Sequence, residues 1–505
     1  MPLRRKVILL FCLVLVTGSV SATVLHALRI HSTAYRLDLQ GDVSEWIGMD
    51  VRIGKVLPQS FDRQGFEDVD VALPDTGEQV FRCRSAVWSE ISNSAETTRT
   101  LTLRDGWLLV GTGAWTGSDY RQMLVGGLGH DYQALGLTQV DLRDIALRFL
   151  HPSFEFRAEV TSGLIFFDDN GQGRASLNCA RLNGTEVDDP VNISARFTPG
   201  SGLTFHEVRL AVPGMPLASL GLDDVLGGNP QAGEFAGTIT YGPTDRHGRI
   251  EVEGAVRGAH LAELTRKVLG GPFSGLVDIE VDSAVFQNRR LTNLELHGQL
   301  SGLRLAEIIP DLGGENDRAE LTLQVHQMHW QDNRLTYLSA RGQCRNVPLD
   351  ALSDVVGGGR ITGSGRVVIR SLLIVDEELR FADMDLIAEP PPDKPGTMDR
   401  ELLVKIARKF LDMDLSALLP EEIEYSELGI NLVVDRGVLE LYGTHGPDSQ
   451  TILTIKIAGQ PFPIISQPER TFDVSSLLGE AKAYVTGLDL ETIRRWWRSQ
   501  HEKEK

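Results

Sequence analysis

The stretch GAVRGAHLAELTRKVLGG runs from Gly254 to Gly271. The stretches GQLSGLRLAEIIPDLGG, Gly298–Gly314, and GQCRNVPLDALSDVVGGG, Gly342–Gly359, repeat its pattern. Leu261, Leu305 and Leu349 are 44 residues apart, and so are Gly254, Gly298 and Gly342. One step back, Leu217 in AVPGMPLASLGLDDVLGG keeps the phase, and Leu291, Leu335 and Leu379 keep it further along the unit. A period of this length at several positions predicts stacked supersecondary units, each burying its apolar side against its neighbours.

Within a unit the pattern V-x-G-x-x-L-x-x-L predicts a strand end, a glycine break and a short amphipathic helix. The following Leu-Gly-Gly suits a helix C-terminus. Next comes AELTLQVH, in which Leu321, Leu323 and Val325 fall on one side of a strand and Thr322, Gln324 and His326 on the other. A polar turn at Asp332-Asn333 leads into RLTYLSARGQC, a returning strand. Leu294 and Leu296 hold the matching places in the unit before. At roughly three strands per unit and about 4.8 Å per strand, a unit would advance the sheet by about 14 Å.

Looser copies of the glycine motif extend the device outwards, at LQGDVSEWI (Leu39–Ile47), WTGSDYRQM (Trp115–Met123) and VTGLDLETI (Val485–Ile493). The alternation of Phe154, Phe156, Ala158 and Val160 marks another strand, and FFDDNGQG, Phe166–Gly173, a hairpin turn. Proline-rich AEPPPDKPG interrupts the pattern, and DRELLVKIARKFLDM then has helical periodicity through Leu402, Leu403, Ile406, Phe410 and Leu411. Strands resume in ELGINLVVDRGVLELYG, turning at Asp435-Arg436-Gly437. The expected organisation is an N-terminal segment 1–30, a β module 31–210, phased repeats 211–387, a link 388–397, and a helix, β segment and terminal amphipathic helix over 398–505.

The chain has 505 residues, is 42% hydrophobic and 24% charged, and has a net charge of −19. It is globular in composition, and its acidity argues against a nucleic-acid partner. Arg4, Arg5 and Lys6 precede an apolar run from Val7. A cleaved signal peptide ending near Val20-Ser21-Ala22 and a retained anchor over Val7–Leu28 both fit this start. Apolarity continuing past the cleavage position favours the anchor, and the positive-inside rule then puts the rest of the chain outside the cytoplasm. The cysteines, Cys12, Cys83, Cys179 and Cys344, are widely spaced, which suits isolated buried thiols.

No catalytic constellation stands out, so the chain reads as a non-enzyme without cofactor or metal. His326 and His329 would face opposite sides of a regular strand and make a poor metal pair. Asp168 and Asp169 lack the spaced ligands of a calcium loop. Trp496 and Trp497 beside Arg494 and Arg495 suit either a membrane interface or a helix that caps the sheet.

A long sheet with one apolar face needs cover, since burial is worth roughly 25 cal/mol per Å². Open-ended growth by repeats suits a trough or a self-filled solenoid better than a closed barrel. The stretch Trp46–Trp88, with Val51–Gly54 and Val69–Gly77, resembles the N-terminal module of the AsmA-like family of bacterial envelope proteins. The later units are similar to the repeats of its relatives TamB and YdbH. The resemblance implies a mainly β fold: an elongated, curved antiparallel repeat sheet forming a U-shaped groove, with short helices between repeats and an N-terminal transmembrane helix. It implies a single-pass inner-membrane protein with its bulk in the periplasm, contacting phospholipid and other envelope proteins and assisting phospholipid transport between membranes. Leu294, Leu296, Leu321, Leu323 and Val325 are the candidate groove residues. The alternative is a structural or assembly scaffold whose solenoid is filled by its own side chains.

Overall fold

The computed structural model describes most residues from 32 to 473; 1–28, 112–136, 221–231, 309–317 and 474–505 are the longest stretches outside the description. The expected anchor therefore lies outside the described residues. Among those described, no helix is long and apolar enough to cross a membrane. The chain divides into two compact units, one made mainly of residues up to 215 and the other mainly of residues from 251 onwards.

Unit 1 begins with helix α1, Thr33–Ile47, where the sequence pattern had predicted a strand end and a glycine break. Ser32 caps it by accepting from the Tyr35 N–H, and Gly48, at φ 67°, closes its C-terminus. Gly41 is accommodated mid-helix because Tyr35, Leu39, Val43 and Ile47, four residues apart, pack on Val51, Ile53 and Val56 of β1, Asp50–Ser60. The polar side of α1 covers the free edge of that strand. Ser44 Oγ accepts from Val51 N–H at 2.9 Å, Gln40 Nε2 donates to Val51 O at 3.3 Å and Arg36 Nη1 to Gly54 O at 2.7 Å. A helix face thus supplies the backbone partners that an edge strand lacks.

Strands β2 (Arg63–Ala72), β3 (Gln79–Ser92) and β4 (Thr97–Gly111) continue antiparallel from β1. Then β5, Gln139–His151, pairs parallel to β4, from Thr100↔Gln139 to Gly111↔Leu150. This departs from the all-antiparallel expectation. A parallel pair needs a long return connection, and the residues between these strands, which contain the supposed glycine motif at Trp115–Met123, provide it. The antiparallel order resumes through β6 (Phe154–Phe167), β7 (Gly173–Leu182), β8 (Thr185–Thr198) and β9 (Thr204–Pro216). Strands β10 (Glu234–Thr244) and β11 (His247–His260) hold residues of both units.

In unit 2 the sequence period becomes geometry. Helices α2 (Leu261–Val268), α3 (Leu305–Ile308) and α4 (Leu349–Val356) begin on the phased leucines, as does the 3₁₀ turn Leu217–Leu220. The first N–H of a helix has no partner within the helix. Here Leu217, Leu261 and Leu305 donate to Gly233, Gly275 and Ala319, each the residue just before the next strand. Each repeat then gives two long strands where about three had been expected, so a repeat widens the sheet by about 10 Å. These are β12 (Leu276–Gln287) with β13 (Arg290–Arg304), β14 (Glu320–Gln331) with β15 (Arg334–Pro348), and β16 (Ser364–Val375) with β17 (Glu378–Glu389). Neighbours pair antiparallel throughout.

Even the irregularities keep the period. The register skips Asp282 in β12, His326 in β14 and Arg370 in β16, one inserted residue at the same place in each hairpin. A bulge bends its strand and tightens the local twist. It also breaks simple alternation, so Gln327 is the residue whose side chain meets His329, at 2.9 Å. Counting by twos across the bulge therefore does not assign His326 and His329 to faces.

The proline-rich link is short, from the end of β17 to β18, Gly396–Asp399, and helix α5, Arg400–Leu411, follows. Strand β19, Glu422–Asp435, serves two sheets. Its C-terminal half pairs with β17 and with β20, Val438–Gly443. Its N-terminal half pairs with β18 and with β21, Thr451–Ile457, which is followed by β22, Gln460–Ser466. The turn to β20 places Arg436 at φ 47° and Gly437 at φ 85°, the left-handed pair of a tight hairpin. A two-residue strand, β23 (Phe472–Asp473), pairs with the start of β20.

Candidate functional site: the apolar face of unit 2

Following the register from strand to strand shows which side chains stand side by side. One lane runs Val277–Leu300–Leu323–Gly342–Ile369–Met384–Leu432–Leu441, from β12 to β20. The next runs Ile279–Gly298–Val325–Ala340–Leu372–Ala382–Val434–Leu439. Towards the hairpin turns lies Val281–Leu296–Met328–Leu338–Ile374–Leu379. Towards the helices lies Leu303–Leu321–Cys344–Val367–Leu386–Ile430–Gly443. No polar side chain interrupts any of these lanes. At about 4.8 Å between strands, a lane of this kind is about 34 Å long.

The opposite face is largely polar from β12 to β15 and mixed from β16 onwards, where Val368, Leu373, Phe381 and Ile387 stand among its polar residues. Gln324 Oε1 accepts twice from Arg341, at 2.8 and 2.6 Å. Arg370 reaches Asp385 at 2.6 Å, and Asn431 donates to Asp383 and Asp385. His297 stands between Glu280 at 3.3 Å and Asp282 at 3.1 Å. These contacts join neighbouring strands on the face away from the lanes. Among the described residues, no group of three His, Cys, Asp or Glu side chains is placed to hold a metal ion.

The five residues singled out from sequence come together on this one face. Leu294 sits beside Trp330, Leu296 beside Met328, and Leu323 and Val325 beside Leu300 and Gly298. Their surroundings differ. Leu321 is buried in a cluster with Leu303, Cys344 and Val347, on which Leu261, Leu305 and Leu352 of the short helices pack. Leu294 and Leu323 are only half-buried. Trp496, Trp497, Arg494 and Arg495 lie outside the described residues.

The best-buried part of the middle lane holds small or β-branched residues, with Val325 3% exposed, Ala340 2% and Ala382 fully buried, while Ile279, Leu372 and Leu439 of the same lane are half-buried. The flanking lanes carry the larger Leu300, Leu323, Met328, Leu338, Ile374 and Leu379, all half-buried. Sequence periodicity identified the face but not this gradation, because burial depends on neighbouring elements that a strand's own alternation does not encode.

No family model, curated protein or solved structure matches this chain. What it does must be read from its own geometry.

Unit 1 has an apolar face of the same design. Its deepest lane is Ile53–Val69–Cys83–Gly106–Ile145–Val160–Cys179–Val191. Beside it the register steps over Asp68, Asp105 and Asp144, whose φ values are 52°, 53° and 54°. Aspartate tolerates this left-handed conformation better than most residues. Gly106 is needed where it stands, since a Cβ there would lie 2.1 Å from Arg82 O. Burial pushes the thiols of Cys83 and Cys179 up to about 12, with the nearby Asp70 carboxylate adding to the effect at Cys83. Thiols held so far from ionisation are poor nucleophiles.

At the far end of unit 2 the apolar side is closed by the chain itself. Met398, Leu402, Leu403, Ile423, Tyr425, Leu453 and Ile455 form a dense cluster that also takes in Leu349 of α4. Tyr425 donates to Thr362 O at 2.6 Å, and burial raises its pKa. This cluster is a filled core and offers no room for a ligand chain.

Proposed function

We propose that this chain is a β-groove protein that shields lipid acyl chains and assists phospholipid movement between envelope membranes. In this reading residues 7–28 hold it in the inner membrane as a single-pass protein and the described units stand in the periplasm. The observation that carries the reading is the set of uninterrupted apolar lanes in unit 2, in which Leu300, Leu323, Met328, Leu338, Ile374 and Leu379 are only half-buried. Bulges at Asp282, His326 and Arg370 fold the hairpins so that the small residues of the middle lane form the floor of a U and the flanking lanes form its walls.

The physics suits the task. A lipid tail in water costs about 0.8 kcal/mol per CH₂, on the order of 12 kcal/mol for a sixteen-carbon chain. A continuous apolar surface lowers that cost without any side-chain chemistry. A passive groove only equilibrates, so direction comes from outside it, through other envelope proteins. The resemblance of Trp46–Trp88 and of the repeats to the AsmA-like family supports the same reading. A self-filled scaffold has support at the helix side, where Leu303, Leu321, Cys344 and Val347 interlock with helix leucines, and less towards the turns, where Met328, Leu338, Ile374 and Leu379 are half-buried.

The test is photolabelling of the full chain with a phospholipid carrying a diazirine in its acyl chain. Saturable labelling of unit 2 that unlabelled phospholipid competes away is expected. Absence of labelling, or labelling that competitor leaves untouched, contradicts the proposal.

A further inference from the structure

The face of unit 1 opposite its apolar lanes carries a local charge at odds with the rest of the chain. We infer that the part of this outer face from β4 to β9 rests on an anionic phospholipid surface, with guanidinium groups on the headgroup phosphates and Leu164 and Phe166 set into the interface. The inference rests on the inner-membrane placement proposed above and not on the groove.

Cross-strand neighbours define the patch. Arg104 stands directly opposite Arg143 across β4 and β5, and Arg174 opposite Arg196 across β7 and β8. Arg209 lies on β9, opposite Ser194. All five arginines are exposed. Like charges directly opposite each other destabilise a sheet, and this face keeps two such pairs in a chain whose net charge is −19. The carboxylates of the same lanes are already engaged: Asp141 by Arg143 at 2.9 Å, and Glu207 by Arg196. Asp168, in the turn beyond β6, accepts from the Gln172 N–H at 2.8 Å. Arg104, Arg174 and Arg209 are left with no carboxylate partner among the described residues. Ser176 and Ser194 stand opposite each other between Leu164 and Arg209. Guanidinium groups beside hydroxyl donors suit phosphate oxygens.

The centre of the patch is apolar. Strand β6 turns Ile165 to the apolar side, so alternation calls for polar residues on either side of it. Leu164 and Phe166 stand there instead, 37% and 47% exposed. Phe166 is directly opposite Arg174, and Leu164 opposite Ser176.

This mixture selects the occupant. A small anion has no use for two exposed apolar side chains, and six strands make a face about 24 Å across, the scale of a surface. The acidity of the whole chain repels nucleic acid. Arginines around exposed aliphatic and aromatic side chains match an anionic bilayer interface. Position agrees, since the apolar run proposed as anchor ends at Leu28 and Ser32 already caps α1, which packs on the first strand of this sheet.

The experiment reconstitutes the full chain in liposomes of phosphatidylcholine with or without phosphatidylglycerol. Its arginines are modified with phenylglyoxal and followed peptide by peptide by mass spectrometry. Modification of Arg104, Arg174 and Arg209 should be about five-fold slower with phosphatidylglycerol, and high salt should abolish the difference. Arg345, exposed in unit 2, should react equally in both lipids. The variant Leu164→Ser, Phe166→Ser should keep the melting temperature and lose most of the protection. Equal rates in the two lipids, or slowing shared by Arg345, overturn the inference. So does equal protection by soluble glycerol phosphate, which marks an anion site that needs no bilayer, and so does full protection in the double-serine variant. A chain that alkali washes off the liposomes overturns the anchor reading instead. The arginine rates still decide the patch in that case, because the same liposomes act when added from outside.

Discussion

From β1 to β5 of unit 1 the strands break at left-handed aspartates, Asp68, Asp105 and Asp144, with no residue gained or lost there, while β6 and β7 carry inserted residues at Thr161 and Ala180. In unit 2 they break at one inserted residue, repeated every 44 positions at Asp282, His326 and Arg370. Both devices sit beside a lane with a well-buried stretch of small or β-branched apolar residues. The same bend is thus encoded twice in different local chemistry. Only the second encoding forces a sequence period, because an insertion must be matched in every repeat if the lanes are to stay in line. Cover varies with place on the face: Ile145, Val160, Cys179 and Val191 in unit 1 and Val325, Ala340 and Ala382 in unit 2 are all essentially inaccessible, whereas Met328, Leu338 and Ile374 towards the turns of unit 2 are half-buried.

The sharpest way to break this contrast is to place a charge on each surface. Val160→Asp buries a carboxylate with no partner in unit 1 and should cost at least about 3 kcal/mol. Ile374→Asp, on the half-exposed wall of unit 2, should cost about 1 kcal/mol. Denaturant titration of the two variants checks this, and equal losses would erase the distinction.

Removing the edge cover of β1 comes next. In the combined variant Arg36→Ala, Gln40→Ala, Ser44→Ala, three side-chain bonds to the strand edge disappear, at about 1 kcal/mol each. The uncovered edge should also pair with that of a second copy, visible as a concentration-dependent dimer in analytical ultracentrifugation. A variant as stable and as monomeric as the parent would show that α1 holds β1 only through Tyr35, Leu39, Val43 and Ile47.

Smaller again is the effect of the kinks themselves. Asp105→Val places a β-branched residue in the left-handed region and should cost about 1–2 kcal/mol, while Asp105→Gly should be neutral or slightly stabilising. Similar losses for both would mean that the carboxylate, not the backbone, matters there.

The smallest shift concerns pH. Cys83 and Cys179 have thiols raised to about 12 in the folded chain from an ordinary 9.0. Unfolded thiols therefore lose protons first, and these residues' contribution to stability is intact below pH 9 and falls as pH rises towards 12. Cys83→Ala, Cys179→Ala should flatten that fall relative to the parent, whatever it does to stability at neutral pH. Rapid alkylation of either thiol in the folded chain at pH 9 would contradict their burial.

Much of unit 2 was legible in the sequence. The helices begin on Leu261, Leu305 and Leu349, and the alternation through Leu321, Leu323 and Val325 marks the apolar face. These are local signals repeated until chance is a poor account of them. What escaped depends on partners distant in the chain. The parallel pairing of β4 and β5 leaves no periodic trace in either strand. A bulge adds one residue without changing composition, so His326 and His329 could not be assigned to faces by counting. Helix α1 overrides a glycine because its apolar side meets β1. Strand β19 joins two sheets, and the change of phase in its alternation, from Ile423 and Tyr425 to Leu428, Ile430, Leu432 and Val434, does not say which strands each half will pair with. The candidate residues were gathered on the right face, yet Leu321 proved to be packed beneath helix leucines, since cover comes from elements that its own strand does not encode.

The central claim is that the half-exposed wall of unit 2 accommodates a hydrocarbon chain. Its most direct test is the electron paramagnetic resonance spectrum of the full chain mixed with phosphatidylcholine carrying a nitroxide in mid-chain. A saturable immobilised component is predicted, lost in Leu338→Arg, Ile374→Arg and retained in Gln343→Arg. A spectrum of freely mobile lipid at saturating protein, or an immobilised component indifferent to the two arginines, would contradict it.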